Sequence, residues 1–354
     1  MNGKINMNKF VATPYKNLIS YDGAVLPRYQ IARFAKEIGY EPMEVPAYHQ
    51  VDPDTPEWDA LMGRIRAIPN GSLFIHQLPS YASEKCEQAV IDLLHSKNCI
   101  VAAYIHDIDY LRDFDDTFRL KDLFNSLDVA MVASQPVIDF LKDQGVTSKL
   151  IISGMWDYHA DNINGNKLSN LGLSINYAGN LFKPKAGFLK PLSEISDYPI
   201  NVWGYLDSHT INLNEMDVNY KGKTNSPDLN IPDGWGLIWD DNEDLANSGY
   251  NKYQKYNWAY KLALYLRNGL PIIVRKNTNM GDYIEKHNLG TTINSLEDIN
   301  YVIDSILVNQ HNFELIKKQC YNYSKLLDKG FFIKSALRKV ENIARIGNFL
   351  IISK

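Results

Sequence analysis

Short apolar runs that alternate with helical segments constrain the fold of this chain more than any other feature. Ile100–Ile105 is a continuous apolar run of strand length, and Ile272–Val274 is another. Between such runs the apolar residues return at helical spacing, as they do from Ser83 to His95. Strands that alternate with helices form parallel sheets with helices on both faces. We therefore predict an α/β fold of doubly wound sheets.

The length of the chain and one polar segment indicate two domains. The 354 residues are more than one such sheet usually needs. Residues 159–172 are rich in Asn, Asp, Gly and Lys, a composition typical of a linker. We predict an N-terminal Rossmann-like domain over 1–155, a linker over 156–173 and a second Rossmann-like domain over 174–330. A final helix is predicted within 331–354.

The segment from Pro232 to Gly290 reads as strand, loop, helix, turn and strand. We predict that its helix starts with Asn257 as the N-cap, which places Tyr260 and Lys261 in the first turn. Free amides and a partial positive charge at a helix start favour phosphate, and Lys261 adds a full charge there. The alternative is an exposed helix lysine beside an ordinary cap.

A second group of candidate nucleotide ligands follows the strands of the same half. Gly179 and Asn180 come directly after a predicted strand, where a glycine lets backbone approach a ligand closely. Lys183, or Lys185, could then meet a phosphate, although solvated loop lysines are equally expected from the pattern. Tyr220 ends another short strand before a glycine-containing turn, and we assign it to the nucleotide side as well.

Two histidines follow buried strands of the first half. Ligands of doubly wound sheets lie at the carboxyl ends of the strands, where we expect both His76 and His106. His106 with Asp107 is the stronger catalytic candidate, because an imidazole titrates near neutrality and a carboxylate stands beside it. The alternative is a strand-end histidine that bonds only to backbone.

The spacing Asn257-x-x-Tyr260-Lys261-Leu262-x-x-Tyr265-Leu266-x-x-Gly269-x-Pro271 resembles bacterial glycosyltransferases of the GT-B type. It is most similar to the glucosyltransferases of accessory Sec loci, which extend the first sugar on serine-rich repeat adhesins. Bacterial galactofuranosyltransferases are similar too. The resemblance covers nearly the whole chain and includes Ile75–Pro79, Ile105–Asp107 and Gly154–Asp157.

This resemblance implies a GT-B fold, in which two Rossmann-like domains face a cleft. It implies that Asn257, Tyr260 and Lys261 hold the UDP of the donor sugar. It places Asp22, Gly23 and Arg28 of the first loop near donor or acceptor, with His76 on the substrate side. That loop looks more like the galactofuranosyltransferase version, so the donor sugar stays open. The last helix is expected to pack back on the N-terminal domain, and relatives of this type are multimers.

Other chemistries find little support in the sequence. Asp107-Ile108-Asp109 and Asp113-Phe114-Asp115 match the Asp-x-Asp signature of metal-dependent glycosyltransferases, but three residues in an acidic chain are weak evidence. We expect no metal and no cofactor besides the donor substrate. The three cysteines have neither metal nor disulfide spacing, and a net charge of −4 argues against a nucleic-acid partner.

We therefore expect a cytoplasmic enzyme without a signal peptide or transmembrane segment. It would transfer a hexose, glucose or N-acetylglucosamine, from a UDP-sugar to a serine-rich protein already modified with N-acetylglucosamine. A homo-oligomer is implied by the resemblance. The alternatives are a non-catalytic subunit that binds a glycosylated protein and a galactofuranosyltransferase of polysaccharide synthesis.

Overall fold

A computed structural model describes residues 7–15, 23–48, 50–112, 120–163, 172–224, 226–241 and 249–352. Asp22 and the Asp113-x-Asp115 pattern lie outside these residues. In the described parts, twelve strands form two six-stranded sheets, and every strand pair is parallel. This confirms the predicted α/β class.

The first sheet has the strand order β2-β1-β3-β4-β5-β6. Its strands are β1 Lys9–Thr13, β2 Glu41–Glu44, β3 Leu73–Leu78, β4 Ile100–Ile105, β5 Val129–Val132 and β6 Lys149–Ile152. Its helices are α1 Leu26–Lys36, α2 Pro56–Ala67, α3 Glu84–Ser96, α4 Lys121–Asn125 and α5 Gln135–Asp143, with a 3-10 turn at Asp109–Arg112. Strands β3, β4 and β5 are apolar and central because helices cover both of their faces.

The second sheet has the order β12-β11-β10-β7-β8-β9. Its strands are β7 Ser174–Ala178, β8 Ile200–Trp203, β9 Asn219–Tyr220, β10 Gly234–Ile238, β11 Ile272–Arg275 and β12 Gly290–Ile293. Its helices are α6 Lys183–Ala186, α7 Leu189–Ile195, α8 Gly249–Tyr253, α9 Tyr260–Arg267 and α10 Asn279–Lys286, and 3-10 turns occupy Leu213–Glu215 and Leu296–Asp298. Three more helices follow: α11 Ile299–Val308, α12 Gln310–Asp328 and α13 Phe331–Ile352.

None of the helices in the described ranges is both long enough and apolar enough to cross a bilayer.

Two tryptophans join the halves immediately before α9. The indole N–H of Trp156, in the segment after β6, donates to the Trp258 carbonyl at 2.6 Å. The indole N–H of Trp258 donates to the Ala133 carbonyl, just past β5, at 2.8 Å. The Ser134 hydroxyl donates to the Tyr256 carbonyl at 2.6 Å. The backbone that leads into α9 is therefore fixed by the carboxyl end of the first sheet.

Helix α13 returns to the first sheet and packs on α1. Its Glu341 accepts a hydrogen bond from the Lys9 ammonium at 3.0 Å, and Lys334 pairs with Glu37 at 2.6 Å. The start of α13 is held by Asp157, whose Oδ2 accepts from the Ile333 amide at 2.6 Å. Asp157 is fully buried. Its carboxylate therefore fixes the last helix to the segment that connects the two sheets.

Asp157 should make the stability of the protein depend on pH. Burial raises its pKa from 3.8 to about 7, although amides at the start of α13 oppose the shift. A raised native pKa means that stability is fully present below the unfolded pKa and is lost as the pH rises through the native pKa. We expect the free energy of unfolding to fall between about pH 4 and pH 7 for this reason, and Asp157→Asn to remove that dependence.

Urea unfolding across this pH range measures the effect. Asp161→Asn is the matched control, because the Asp161 side chain lies in the same connecting segment and is 82% exposed. Parallel pH curves for the wild type and Asp157→Asn would contradict the assignment.

Candidate donor-binding site

The candidate site lies at the topological switch point of the second sheet, where the strand order reverses. Strands β7 and β10 are neighbours, yet β7 leads to one side of the sheet and β10 to the other. Ligands of open α/β sheets bind outside the carboxyl ends of strands at such a point. The residues that follow these two ends are Gly179 and Asn180 after β7, and Trp239, Asp240 and Asp241 after β10.

Two lysines converge there on one buried carboxylate. Lys261, at the second position of α9, pairs with Oδ1 of Asp240, and the Lys185 ammonium lies 3.5 Å from Oδ2. The side chains of Asp240 and Lys261 are 7% and 8% exposed, and that of Lys185 is 26% exposed. We call Lys185, Asp240 and Lys261 the lysine–aspartate triad.

The triad has an unbalanced charge. Burial lowers the pKa of Lys261 to about 8, against the opposing effect of Asp240. Burial also opposes ionisation of Asp240, but Lys185 and Lys261 outweigh it and hold the pKa of Asp240 below its usual range. Two ammonium groups thus share one carboxylate, which leaves an excess positive charge that suits an anion.

Aromatic rings and a second ion pair support the triad. The Lys261 ammonium lies 4.5 Å from the centre of the Tyr177 ring. Asp241 is fully buried and pairs with Arg275 at 2.9 Å, and the Arg275 guanidinium lies 3.8 Å from the Trp239 ring centre. Such buried pairs hold the backbone after β10 in one position. Asp240 and Asp241 were not among the predicted site residues, although acidic residues directly after a strand were a usable signal.

The start of α9 corrects one prediction. The helix begins at Tyr260 and its N-cap is Ala259, which makes no side-chain cap bond, so Asn257 is not the cap. Tyr260 and Lys261 do lie in the first turn. The Asn257 Oδ1 atom and the Tyr260 hydroxyl are buried and find no hydrogen-bond partner among the described residues. The Tyr260 ring packs on Tyr158, with ring centres 5.3 Å apart.

The other candidates, after β7 and β9, make local hydrogen bonds. Asn180 accepts a hydrogen bond from the Phe182 amide at 2.9 Å, and the Gly179 amide donates to the Trp203 carbonyl at 3.0 Å. The Tyr220 hydroxyl donates to the Gly204 carbonyl at 2.8 Å, and the residue is 40% exposed. Lys183 is exposed on α6, and the structure brings Lys185 to Asp240 instead.

His106 lies at the carboxyl end of β4, as expected, but Asp107 is not its partner. The Nε2 atom of His106 lies 2.8 Å from Oε1 of Gln77, and its ring stacks on Trp156 at 5.2 Å. Asp107 pairs with Arg112 and accepts from the Tyr253 hydroxyl at 3.0 Å. The two side chains therefore have different hydrogen-bond partners, and their catalytic assignment stays a prediction.

The bonds of Gln77 define the state of His106. The Gln77 amide nitrogen donates to the Ala12 and Arg28 carbonyls, so its oxygen faces His106 and can only accept. His106 therefore carries its proton on Nε2 and a lone pair on Nδ1. Burial, and then the charge of Arg28, lower the pKa of His106 well below 6.5, so the ring is neutral at physiological pH.

The remaining first-half candidates have structural contacts. His76 lies inside β3 and not at its end, and burial lowers its pKa to about 3. Arg28 is buried and donates to the Gln77 and Pro79 carbonyls at 3.0 and 2.6 Å. Gly23 is exposed in the turn before α1. No group of three His, Cys, Asp or Glu side chains suited to a metal occurs in the described ranges.

The architecture, with two parallel six-stranded sheets flanked by helices, is that of GT-B glycosyltransferases. Sucrose-phosphate synthase from Thermosynechococcus elongatus superposes with a TM-score of 0.61 at 11% identity, covering 98% of this chain and all of that one (100%). HepE from Anabaena in complex with UDP-glucose superposes with a TM-score of 0.63 at 12% identity. The superposition covers 95% of this chain and 100% of HepE. These likenesses confirm the predicted GT-B fold.

The chain belongs to the glucosyltransferase 3-like family. The family's N-terminal domain matches residues 9–155 and its C-terminal domain matches residues 175–340. "Glucosyltransferase 3" of Streptococcus gordonii is 26% identical over 333 residues, covering 89% of this chain and 92% of that protein. The protein of the same name from Streptococcus parasanguinis is 26% identical over 316 residues, which cover 86% of this chain and 89% of that protein. The protein is a glycosyltransferase.

Proposed function

We propose that this glycosyltransferase transfers glucose or N-acetylglucosamine from a UDP-sugar to N-acetylglucosamine on a serine-rich protein. The observation that carries the donor assignment is the lysine–aspartate triad at the β7–β10 junction. Two ammonium groups around one carboxylate suit the diphosphate of a nucleotide sugar. Relatives named glucosyltransferase 3, and the UDP-glucose complex of HepE, support a UDP-hexose.

The diphosphate would join Asp240 as a second anionic partner of the two lysines and take up their excess positive charge. Charge develops on the leaving UDP as the bond from the sugar C1 atom to the diphosphate oxygen breaks. Lys261, Lys185 and the first amides of α9 would stabilise that charge, which lowers the barrier. With these groups in place, we propose that the reaction needs no metal ion.

His106 is our candidate for the base. Its neutral ring presents an Nδ1 lone pair, and the Nε2–H···Oε1 bond to Gln77 holds the ring in one tautomer. As the acceptor oxygen bonds to the sugar C1 atom, its proton would move to Nδ1. Asp107 is then a positioning residue, because it joins Arg112 of the first half to Tyr253 of the second.

Transfer assays with purified protein test the function. UDP-glucose, UDP-N-acetylglucosamine and UDP-galactofuranose are supplied in turn, with a serine peptide that carries N-acetylglucosamine as acceptor. We expect transfer of one of the first two hexoses to the peptide. Transfer from UDP-galactofuranose alone would indicate a galactofuranosyltransferase. Peptide binding without transfer from any donor would indicate a non-catalytic binding subunit.

Two neighbouring lysines provide a matched prediction. Lys185→Ala removes one ammonium group of the triad, and we expect UDP to bind about tenfold more weakly. Lys183→Ala removes an exposed charge two residues away, and we expect a change below about twofold. Calorimetric dissociation constants for UDP measure both. The reverse order of effects would show that Lys183, the other lysine that the sequence offers, is the nucleotide ligand.

A further inference from the structure

Two exposed tyrosines stack on each other at the carboxyl edge of the first sheet. Tyr48 follows β2 and Tyr81 follows β3, and their ring centres are 5.0 Å apart at an angle of 27°. They are 39% and 37% exposed, although aromatic rings of this size are usually more buried. The pair therefore presents aromatic surface to solvent at the edge where doubly wound sheets bind ligands.

The backbone at both tyrosines is strained. Tyr48 has a φ of 57° and Tyr81 has a φ of 60°. This left-handed region is unfavourable for a bulky side chain. Strain of this kind persists where the surrounding structure enforces it, and it is concentrated at ligand sites.

Hydrogen bonds between the two loops enforce the strained arrangement. The Tyr48 amide donates to the Ser80 carbonyl at 2.8 Å, so the loop after β2 is bonded to the loop after β3. The amide and hydroxyl of Ser80 both donate to the buried Glu87, at 2.5 and 2.6 Å. The Arg28 guanidinium lies 5.1 Å from the Tyr48 ring centre. These contacts hold the two loops, and with them the two rings, against each other.

Polar groups beside the pair connect it to the second domain. The Tyr81 hydroxyl donates to Oδ1 of Asp109 at 3.2 Å. Asp109 lies 3.6 Å from the Arg112 guanidinium, which also pairs with Asp107. Asp107 in turn accepts from Tyr253 of the second half. The rings therefore lie beside the junction of the two domains.

We propose that Tyr48 and Tyr81 form a subsite for the acceptor sugar, which packs its apolar C–H face on the exposed aromatic surface. This rests on the proposed function. A pyranose has an apolar face that suits the negative face of an aromatic ring, while its hydroxyls suit carboxylates such as Asp109. The carboxylates of Asp107 and Asp109 balance the guanidiniums of Arg28 and Arg112, so no excess positive charge remains for a diphosphate and a neutral polyol is favoured. The subsite therefore takes a sugar and not the UDP of the donor.

Variants of Tyr81 test the subsite. The probe is a serine peptide that carries N-acetylglucosamine, and its binding is followed by saturation-transfer NMR and by the acceptor KM. We expect Tyr81→Ala to weaken peptide binding and raise the acceptor KM about tenfold, with the affinity for UDP unchanged. Tyr81→Phe keeps the ring and should stay within about threefold of the wild type. Tyr301→Ala is the control, because Tyr301 is 76% exposed on α11.

The outcomes separate the subsite from the donor assignment. Normal peptide binding and acceptor KM in Tyr81→Ala, while the wild type transfers sugar, would overturn the subsite alone. Failure of the wild type to bind the peptide would also overturn it. A wild type that binds the peptide through Tyr81 but never binds UDP would retain the subsite and overturn the proposed function. Thermal unfolding of each variant excludes a simple loss of folding.

Discussion

Lys261→Ala is expected to lower the rate of sugar transfer by about 100- to 1,000-fold. The ammonium group of Lys261 is fixed at the start of α9 by Asp240 and by the Tyr177 ring, so it needs no reorganisation when charge develops on the leaving diphosphate. A preorganised charge of this kind typically supplies the largest single contribution to catalysis. The variant should retain binding of the glycopeptide acceptor, because that contact belongs to the other domain.

Initial rates of transfer, with the acceptor binding constant measured in parallel, test this expectation. Lys286→Ala is the matched control, since Lys286 is an exposed lysine on the neighbouring helix α10. Transfer by Lys261→Ala at the rate of the wild type would show that the donor site is assigned wrongly. If Lys261→Ala loses both acceptor binding and sugar transfer, the substitution has disrupted the fold in general.

The second large effect is expected at Asp240. Asp240→Asn leaves the ammonium groups of Lys185 and Lys261 without their shared carboxylate in a buried place. Removal of one partner from a buried ion pair costs about 3 kcal/mol in the free energy of unfolding. UDP would return negative charge to the same lysines. We therefore expect UDP to stabilise Asp240→Asn by more than it stabilises the wild type.

Thermal unfolding with and without UDP measures both parts of this prediction. Asp139→Asn on α5 is the control, because Asp139 is exposed. Equal stability of Asp240→Asn and the wild type would contradict the account of the triad. If UDP raises the unfolding temperature of both proteins by the same amount, the diphosphate does not bind beside Asp240.

Much of the architecture could be predicted because its signals are local. Apolar runs such as Ile100–Ile105 form central strands since a parallel sheet is covered on both faces. The helix from Tyr260 was predicted from apolar spacing and from Gly269 at its end, but its cap was placed too early. Asn257 is a favourable cap residue in general, whereas here the bonds of Trp258 to the first domain set where the helix begins.

The pairings within the site could not be read from the chain. Lys185, Asp240 and Lys261 lie far apart in sequence and meet only because β7 and β10 are neighbours. The partner of His106 is Gln77 on the adjacent strand, although Asp107 is its neighbour in sequence. The chain has 22 tyrosines, and exposure and backbone strain were needed to distinguish Tyr48 and Tyr81 from those of the core.

Calorimetric titration with UDP tests the central claim most directly. The protein is titrated with UDP, GDP and CMP in the presence of a metal chelator. The triad at the start of α9 predicts that UDP binds selectively under these conditions, and that Lys261→Ala loses most of this binding. Absence of UDP binding, or binding that appears only after Mg²⁺ or Mn²⁺ is added, would contradict the claim that two lysines and a helix start hold the diphosphate.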